Sequence, residues 1–112
     1  MLVYKILRTA ERAAFDAAGV TEGAPVDLAD GYIHLSTAAQ APETAAKHFA
    51  DEDGLWLLAV DADSLGRDLR WEPSRGGQLF PHLYAPLRAA HVVWARPLPR
   101  GPGGHVFPEE MA

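Results

Sequence analysis

The sequence predicts a small α+β domain spanning residues 1–112, in which two helices pack on a mixed or mainly antiparallel sheet. Two observations support this fold class. Alanine-rich stretches with helical spacing occur in the first half of the chain, each next to a strand-like segment. The second half is interrupted repeatedly by proline and glycine, which favours short strands and largely excludes helices. A chain of 112 residues has the length of one domain.

The first half of the chain contains both predicted helices. Residues 2–7 favour a strand, and the alanine-rich residues 10–18 favour a helix that Gly19 can terminate. Residues 23–30 hold glycine, proline and two aspartates, a composition typical of a loop. Thr37 and Gln40 have the spacing of a capping box, which predicts a helix that continues to about residue 50.

The remaining strands are predicted from their apolar pattern. Residues 55–60 are apolar without alternation, which is expected for a strand that is buried on both faces at the centre of a sheet. Residues 69–72, 79–84 and 92–98 are further strand-like segments, separated by proline and glycine.

The alternating segment at residues 32–36 gives the first candidate site. Successive strand side chains point to opposite faces, so Tyr32, His34 and Ser36 share one face. Histidine can donate, accept or titrate near neutral pH, which makes His34 a candidate catalytic residue in a pocket wall. Tyr32 and Ser36 are candidate ligand-binding residues. The alternative is a solvated strand face or a structural histidine.

The segment at residues 70–72 places Arg70 and Glu72 on one face and Trp71 on the other. Among so many arginines Glu72 should stay ionised, which suits hydrogen bonding to ligand hydroxyls or stabilisation of a cationic transition state. Glu72 is therefore the second candidate catalytic residue, with Arg70 and Trp71 as ligand-binding neighbours. The alternative is a structural salt bridge to Arg70 or Arg75.

The segment at residues 79–84 places Phe80, His82 and Tyr84 on one face. Aromatic rings with polar tips are typical of a small-ligand pocket, so all three are candidate ligand-binding residues. The alternative is a core strand whose histidine and tyrosine bond to the backbone. The histidines lack an HExxH motif or other close spacing, and no metal site is predicted.

The charge distribution indicates a small anionic ligand or a nucleotide as the partner. Residues 1–63 hold eleven acidic residues against four basic ones, whereas residues 64–108 hold two acidic residues against six arginines. The guanidinium fork suits phosphate and carboxylate oxygens, so Arg70 and Arg75 are candidate ligand-binding residues. The alternative is that these arginines lie solvated on the surface.

Composition excludes several other partners. A net charge of -5 argues against non-specific binding to nucleic acid. No apolar run approaches the roughly 20 residues that span a bilayer, so no membrane role is expected. The chain has no cysteine, and a cytoplasmic location is expected. The oligomeric state is not predicted.

Four motifs together resemble the bacterial family called domain of unknown function 952 (DUF952). They are Tyr4-Lys5-Ile6, Gly31-Tyr32-Ile33-His34-Leu35-Ser36-Thr37, Arg70-Trp71-Glu72 with Gly77, and Leu79-Phe80-Pro81-His82-Leu83-Tyr84. The combination is specific and spans nearly the whole chain. Lys5 and Ala85 depart from the family pattern, in which histidine and glycine often stand at those positions.

The family looks like a minimal relative of the ADP-ribosyltransferase fold, and His34-Leu35-Ser36 is similar to a segment of the NAD-using RNA 2'-phosphotransferases. The resemblance implies that Lys5, His34 and Ser36 hold the nicotinamide ribose and its carboxamide, and that arginines hold the pyrophosphate. Glu72 would bond the ribose 2'-hydroxyl and stabilise an oxocarbenium-like transition state. Two functional classes follow: an NAD-using transferase-like enzyme, and a non-catalytic domain that binds a nucleotide or other small anion.

Overall fold

Short strands and helices alternate along the chain. The computed structural model describes residues 1–109 and 111, apart from the side chain of Arg75. The strands are β1 (Leu2–Arg8), β2 (Val20–Thr21), β3 (Ile33–His34), β4 (Leu55–Asp61), β5 (Leu69–Pro73), β6 (Leu79–Leu83), β7 (Leu87–Arg88), β8 (Val92–Leu98), β9 (Arg100–Gly101) and β10 (Gly104–His105). The α-helices are α1 (Thr9–Ala18), α2 (Pro25–Asp30), α3 (Ala41–His48) and α4 (Ala62–Leu65). Short 3-10 turns occupy Gly66–Asp68, Arg75–Gly77 and Ala89–His91. The α+β class is confirmed.

The strand pairings of the described chain are all antiparallel and form two three-stranded sheets. β4 lies between β1 and β8 in the first sheet, and β6 lies between β3 and β5 in the second. Two shorter ladders pair β2 with β7 and β9 with β10. The predicted central strand is confirmed, because residues 57–60 of β4 are at most 1% exposed.

Two backbone hydrogen bonds connect the first sheet to the second. The N–H of Tyr4 in β1 donates to the carbonyl of Ser36 at 2.7 Å, and the N–H of Ser36 donates to the carbonyl of Tyr4 at 2.9 Å. Side chains of directly opposed antiparallel residues lie on the same face, with Cβ atoms about 4.5–5.5 Å apart. The side chains of Tyr4 and Ser36 therefore lie side by side at the seam between the sheets.

The apolar core follows the alternation of β1. Val3 and Leu7 pack into one cluster with residues of both sheets, whereas Tyr4 and Ile6 pack into a second cluster with residues of α3. Lys5 shares the strand face of Val3 and Leu7, and this placement carries its ammonium group into the interior.

The number of helices differs from the two that were predicted. α1 and α3 correspond to the predicted helices, but the segment expected to be a loop contains α2, and α4 is a further short helix. Pro25 stands in the first turn of α2, where its missing N–H costs no helical bond. The Asp27 carboxylate accepts the N–H of Ala24 at 2.7 Å, and Gly31 ends the helix with φ of 86°. None of the described helices is long and apolar enough to cross a membrane.

α3 begins later than its capping motif suggested. The reciprocal hydrogen bonds of the predicted capping box are present, from Thr37 N–H to Gln40 Oε1 at 3.1 Å and from Gln40 N–H to Thr37 Oγ1 at 3.2 Å. They close a turn that precedes the helix, which starts at Ala41 with Pro42 in its first turn. This turn places the start of α3 beside Ser36.

Candidate functional site

A cavity of about 760 Å³, the main cavity, is lined by residues of β1, α2, β3, α3 and β6. Its volume lies in the range typical of small-ligand sites. Apolar side chains, among them Ile6, Leu35 and Phe49, form part of its wall. The candidate residues that line it are Lys5, His34, Ser36, Phe80 and His82.

The buried carboxylate of Asp27 organises one side of the main cavity. Its Oδ2 accepts from Lys5 Nζ at 2.8 Å and from Ala24 N–H at 2.7 Å. Its Oδ1 accepts from the backbone N–H of His34 at 3.0 Å and lies 2.6 Å from His34 Nδ1. Burial raises the pKa of Asp27, but the hydrogen bond from His34 and the charge of Lys5 outweigh it and hold that pKa well below its usual range. The carboxylate is therefore ionised and fixes both Lys5 and His34.

His34 has a carboxylate at each ring nitrogen. Nδ1 meets Asp27, and Nε2 lies 3.0 Å from Oδ2 of Asp30. Lys5 Nζ also donates to the backbone carbonyl of His34 at 3.1 Å. These contacts hold the ring in one orientation and leave neither nitrogen for a ligand.

A second polar group forms around Glu72. Its Oε1 accepts from the hydroxyl of Tyr84 at 2.7 Å and from Nδ1 of His82 at 2.8 Å. The hydrogen bonds from Tyr84 and His82 lower the pKa of Glu72, and the same bond to Glu72 raises the pKa of Tyr84. An ionised carboxylate accepts, so Nδ1 of His82 carries the proton. Within the described residues Nε2 of His82 has no hydrogen-bond partner, and it is the ring nitrogen available to a ligand.

The ring of Tyr32 connects the two polar groups. Its centroid lies 4.6 Å from that of His34, 4.2 Å from that of His82 and 5.2 Å from that of Tyr84. Tyr32 and Tyr84 line a separate, smaller cavity of about 290 Å³. Burial and the charges of nearby carboxylates raise the pKa of Tyr32, which keeps its hydroxyl protonated. The structure thus brings Tyr32, His34, Glu72, His82 and Tyr84 into one contiguous cluster.

Arg70, Trp71 and Glu72 are candidates that line neither cavity. Arg70 places its guanidinium 4.5 Å from the ring centroid of Tyr84, and Trp71 is 39% exposed. Glu72 is hydrogen-bonded to His82, which lines the main cavity. The side chain of Arg75 lies outside the described part of the chain, so its role stays a prediction.

Several side chains at the site were not predicted from the sequence, among them Tyr4, Arg8, Asp27, Asp30, Thr44 and Phe49. Thr44 places its hydroxyl 3.0 Å from that of Ser36, and Tyr4 lines the main cavity. The sequence did contain an indication that a residue such as Asp27 must be present. A lysine on the apolar face of a buried strand needs a buried counter-ion, because an isolated ammonium group is costly to desolvate.

Comparison with known proteins identifies relatives of the whole fold. The profile of the family "Protein of unknown function (DUF952)" matches residues 6–95. The crystal structure of protein CC0527 from Caulobacter crescentus is 53% identical, covers 94% of this chain and 92% of that chain, and superposes with a TM-score of 0.90. The solution NMR structure of CC0527 is 54% identical, covers 93% of this chain and 90% of that chain, and has a TM-score of 0.83. The comparison with curated proteins gave no significant match.

Proposed function

The chain belongs to the DUF952 family of proteins of unknown function, and we propose that it binds a small anionic ligand or a nucleotide in the main cavity. The observation that supports this proposal most directly is the position of His82. Its Nδ1 is held by Glu72 at 2.8 Å, and the ring lines the cavity. A histidine oriented in this way offers Nε2 as an acceptor when neutral and as a donor to an anion when protonated.

The walls of the main cavity suit a ligand with a ring and a charge. Phe49 and Phe80 supply aromatic surface for a ring or base, and Arg8, which is ion-paired with Glu52, supplies a guanidinium that an anionic group of the ligand could share. Arg8 stacks its guanidinium 4.9 Å from the ring centroid of Phe49, so cation and ring already stand together. The arginines of residues 64–108 are proposed to favour an anionic ligand, as a secondary contribution. We retain the cytoplasm as the expected location.

The test is a titration of the isotope-labelled protein with AMP, NAD and inorganic phosphate, followed by amide NMR shifts. Binding should move the resonances of Leu35, Ser36 and Phe80. His82→Gln should weaken binding about tenfold through loss of a hydrogen bond to the ligand. The matched control is His91→Gln, because His91 does not line the main cavity and should leave affinity unchanged. Shifts confined to residues outside the cavity, or equal affinity in both variants, would contradict the proposal.

A second candidate function is an NAD-using, ADP-ribosyltransferase-like reaction. The observation that favours it is Glu72, whose lowered pKa keeps a negative charge next to the cluster of aromatic and histidine rings. Such a charge is suited to an oxocarbenium-like transition state as nicotinamide departs. Incubation of the parent with NAD should then release nicotinamide. Glu72→Gln should reduce turnover far more than NAD affinity, because only the transition state develops the full positive charge. Absence of release by the parent would remove this candidate and leave the binding proposal standing.

A further inference from the structure

We infer that the main cavity binds its anionic ligand together with one proton from solvent, and that this proton is held by Nε2 of His82. Glu72 is the positioning residue, because it holds the other ring nitrogen. The inference rests on the proposed function, since it states how the same cavity balances the charge of its ligand. It follows from the contacts of His82 and from the pairing of the permanent cations in the cavity wall.

The permanent cations of the cavity wall are already paired with carboxylates. Among the described side chains that line the main cavity, these cations are Lys5 and Arg8. Lys5 Nζ lies 2.8 Å from Asp27 Oδ2. The guanidinium of Arg8 holds the carboxylate of Glu52 through two hydrogen bonds, at 2.8 and 3.0 Å. An anion can share that guanidinium only in competition with Glu52, so an anion among the apolar side chains of the cavity needs a further positive charge.

His82 can supply this charge, because one ring nitrogen is fixed and the other is accessible. Nδ1 lies 2.8 Å from Oε1 of Glu72, an ionised carboxylate that can only accept, so Nδ1 carries a proton. Nε2 has no hydrogen-bond partner in residues 1–109 and 111. The one buried side-chain nitrogen or oxygen in that part of the chain without a partner is the Tyr4 hydroxyl, so Nε2 retains accessible surface. Because His82 lines the main cavity, a ligand can reach Nε2 from there.

The fixed tautomer couples anion binding to protonation. Neutral His82 presents only a lone pair at Nε2, and this lone pair repels the oxygen atoms of an anion. Once Nε2 takes a proton from solvent, the ring is a cation that donates to the anion through a charge-assisted hydrogen bond. No bond within the ligand forms or breaks. Since the complex binds one proton more than the free protein, affinity should rise as the pH falls.

The groups closest to His82 keep their own charge between pH 5.5 and 8.5, the range in which histidine titrates. The hydrogen bonds from Tyr84 and His82 lower the pKa of Glu72, which therefore stays ionised. Burial raises the pKa of Tyr32, and the bond to Glu72 raises that of Tyr84, so both hydroxyls stay protonated. Arg70 stands opposite His82 in the register of β5 and β6 and is permanently charged.

Two other histidines of the cavity wall must be distinguished from His82. The ring of His34 lies 5.5 Å from that of His82, and its nitrogens lie 2.6 Å from Asp27 and 3.0 Å from Asp30. Neither of these nitrogens is available to a ligand. His48 also lines the cavity and can titrate in the same range. The experiment therefore follows each histidine separately.

The experiment uses benzenesulfonate, an aromatic anion that stays ionised over this pH range and brings no proton of its own. Ring ¹⁵N NMR of the parent without the probe should show the proton of neutral His82 on Nδ1. With saturating probe the titration of His82 should move to higher pH, whereas that of His91, which does not line the cavity, should not move. Affinity should weaken from pH 5.5 to 8.5 and approach about tenfold per pH unit at the alkaline end, as uptake of one proton requires.

Three variants separate the roles of the side chains. His82→Gln cannot titrate, so its affinity should not depend on pH and should lie about tenfold below that of the parent at pH 5.5. Glu72→Gln removes the negative charge beside the ring and should move the His82 titration to lower pH. His48→Gln should keep the pH slope of the parent. If His82→Gln does not fold, the titrations of the parent still decide the question.

The outcomes distinguish this inference from the proposed function. A neutral His82 with its proton on Nε2, a parent affinity that does not depend on pH, or a pH slope that survives His82→Gln would each overturn the inference. Binding of AMP or phosphate without any binding of benzenesulfonate at pH 5.5 would also overturn it. All four results leave the proposed function standing. If benzenesulfonate, AMP, NAD and phosphate all fail to shift the cavity resonances at either pH, the proposed function and the inference are rejected together.

Discussion

Replacement of Asp27 by asparagine should be among the most damaging single substitutions in the chain. The carboxylate receives four contacts, from Lys5 Nζ, from the N–H of Ala24, and from both the N–H and Nδ1 of His34. An amide has one acceptor oxygen, so its NH₂ group must face at least one of these donors. Removal of one partner from a buried ion pair costs about 3–5 kcal/mol. For a domain of this size that cost corresponds to a fall in Tm of about 12–20 °C.

The stability difference between the parent and Asp27→Asn should depend on pH in a defined direction. The folded state holds the pKa of Asp27 far below its unfolded value of about 3.9. The stabilisation is therefore fully present above about pH 4 and is lost as the pH falls further. Because the variant does not titrate at this position, the difference should narrow by about 1.4 kcal/mol per pH unit below pH 4.

Urea unfolding of the parent and the variant, from pH 7 down to pH 2.5, measures both effects. The matched control is Asp30→Asn, which removes the carboxylate at the other nitrogen of His34. Its side chain is 46% exposed, so the loss should stay below about 1 kcal/mol. A difference below about 1 kcal/mol for Asp27→Asn at pH 7 would refute the reasoning. A difference that stays constant down to pH 2.5 would refute the assignment of the acid dependence to Asp27.

Two glycines provide further predictions that urea unfolding can check. Gly31→Ala places a Cβ at φ of 86° but meets no atom within 4 Å, so it should cost only the backbone strain of about 1–2 kcal/mol. Gly23→Ala adds the same strain at φ of 106° and places its Cβ 2.5 Å from Cβ and Oδ2 of Asp27. Gly23→Ala should therefore lower the free energy of unfolding by at least twice as much as Gly31→Ala. Equal losses for the two variants would show that Asp27 can shift without destabilising the fold.

The central strand of the first sheet and the faces of the strand at residues 32–36 could be predicted because each depends on local pattern. The unbroken apolar run at residues 55–60 indicates a strand that is buried on both faces. The alternation at residues 32–36 indicates a strand that is buried on one face. α2 could not be predicted in this way, because proline, aspartate and glycine occur at helix ends as well as in loops. The helix is established by backbone hydrogen bonds, such as that from Leu28 N–H to the carbonyl of Ala24 at 3.1 Å, and the Asp27 carboxylate adds a contact to Ala24 N–H at its start.

The candidate site was predicted in part. The alternation of side chains along a strand shows which of them share a face, but it does not show which residues of other elements they contact. The alternation placed Phe80, His82 and Tyr84 on one face. In the structure Phe80 and His82 line the main cavity, whereas Tyr84 lines the smaller one. The partner that Lys5 and His34 share is Asp27 of α2, which lies 22 residues from Lys5 and 7 from His34 along the chain. Such pairings depend on the tertiary arrangement, and a single sequence contains no direct record of it.

The seam between the sheets gives a last prediction, because the main cavity and the seam share residues. Tyr4 and Ser36 are joined by two backbone hydrogen bonds, whereas Leu58 lies in β4 with a paired strand on each side. A seam with few bonds opens at a lower free energy than a sheet centre. Native-state hydrogen exchange should therefore show earlier exchange at Tyr4 and Ser36 than at Leu58, with a weaker dependence on urea. A ligand bound in the main cavity should raise protection at Tyr4 and Ser36 first, because it stabilises only the closed seam. If all three amides exchange with one free energy and one urea dependence, the seam opens only when the whole domain unfolds, and entry to the cavity requires no separate motion.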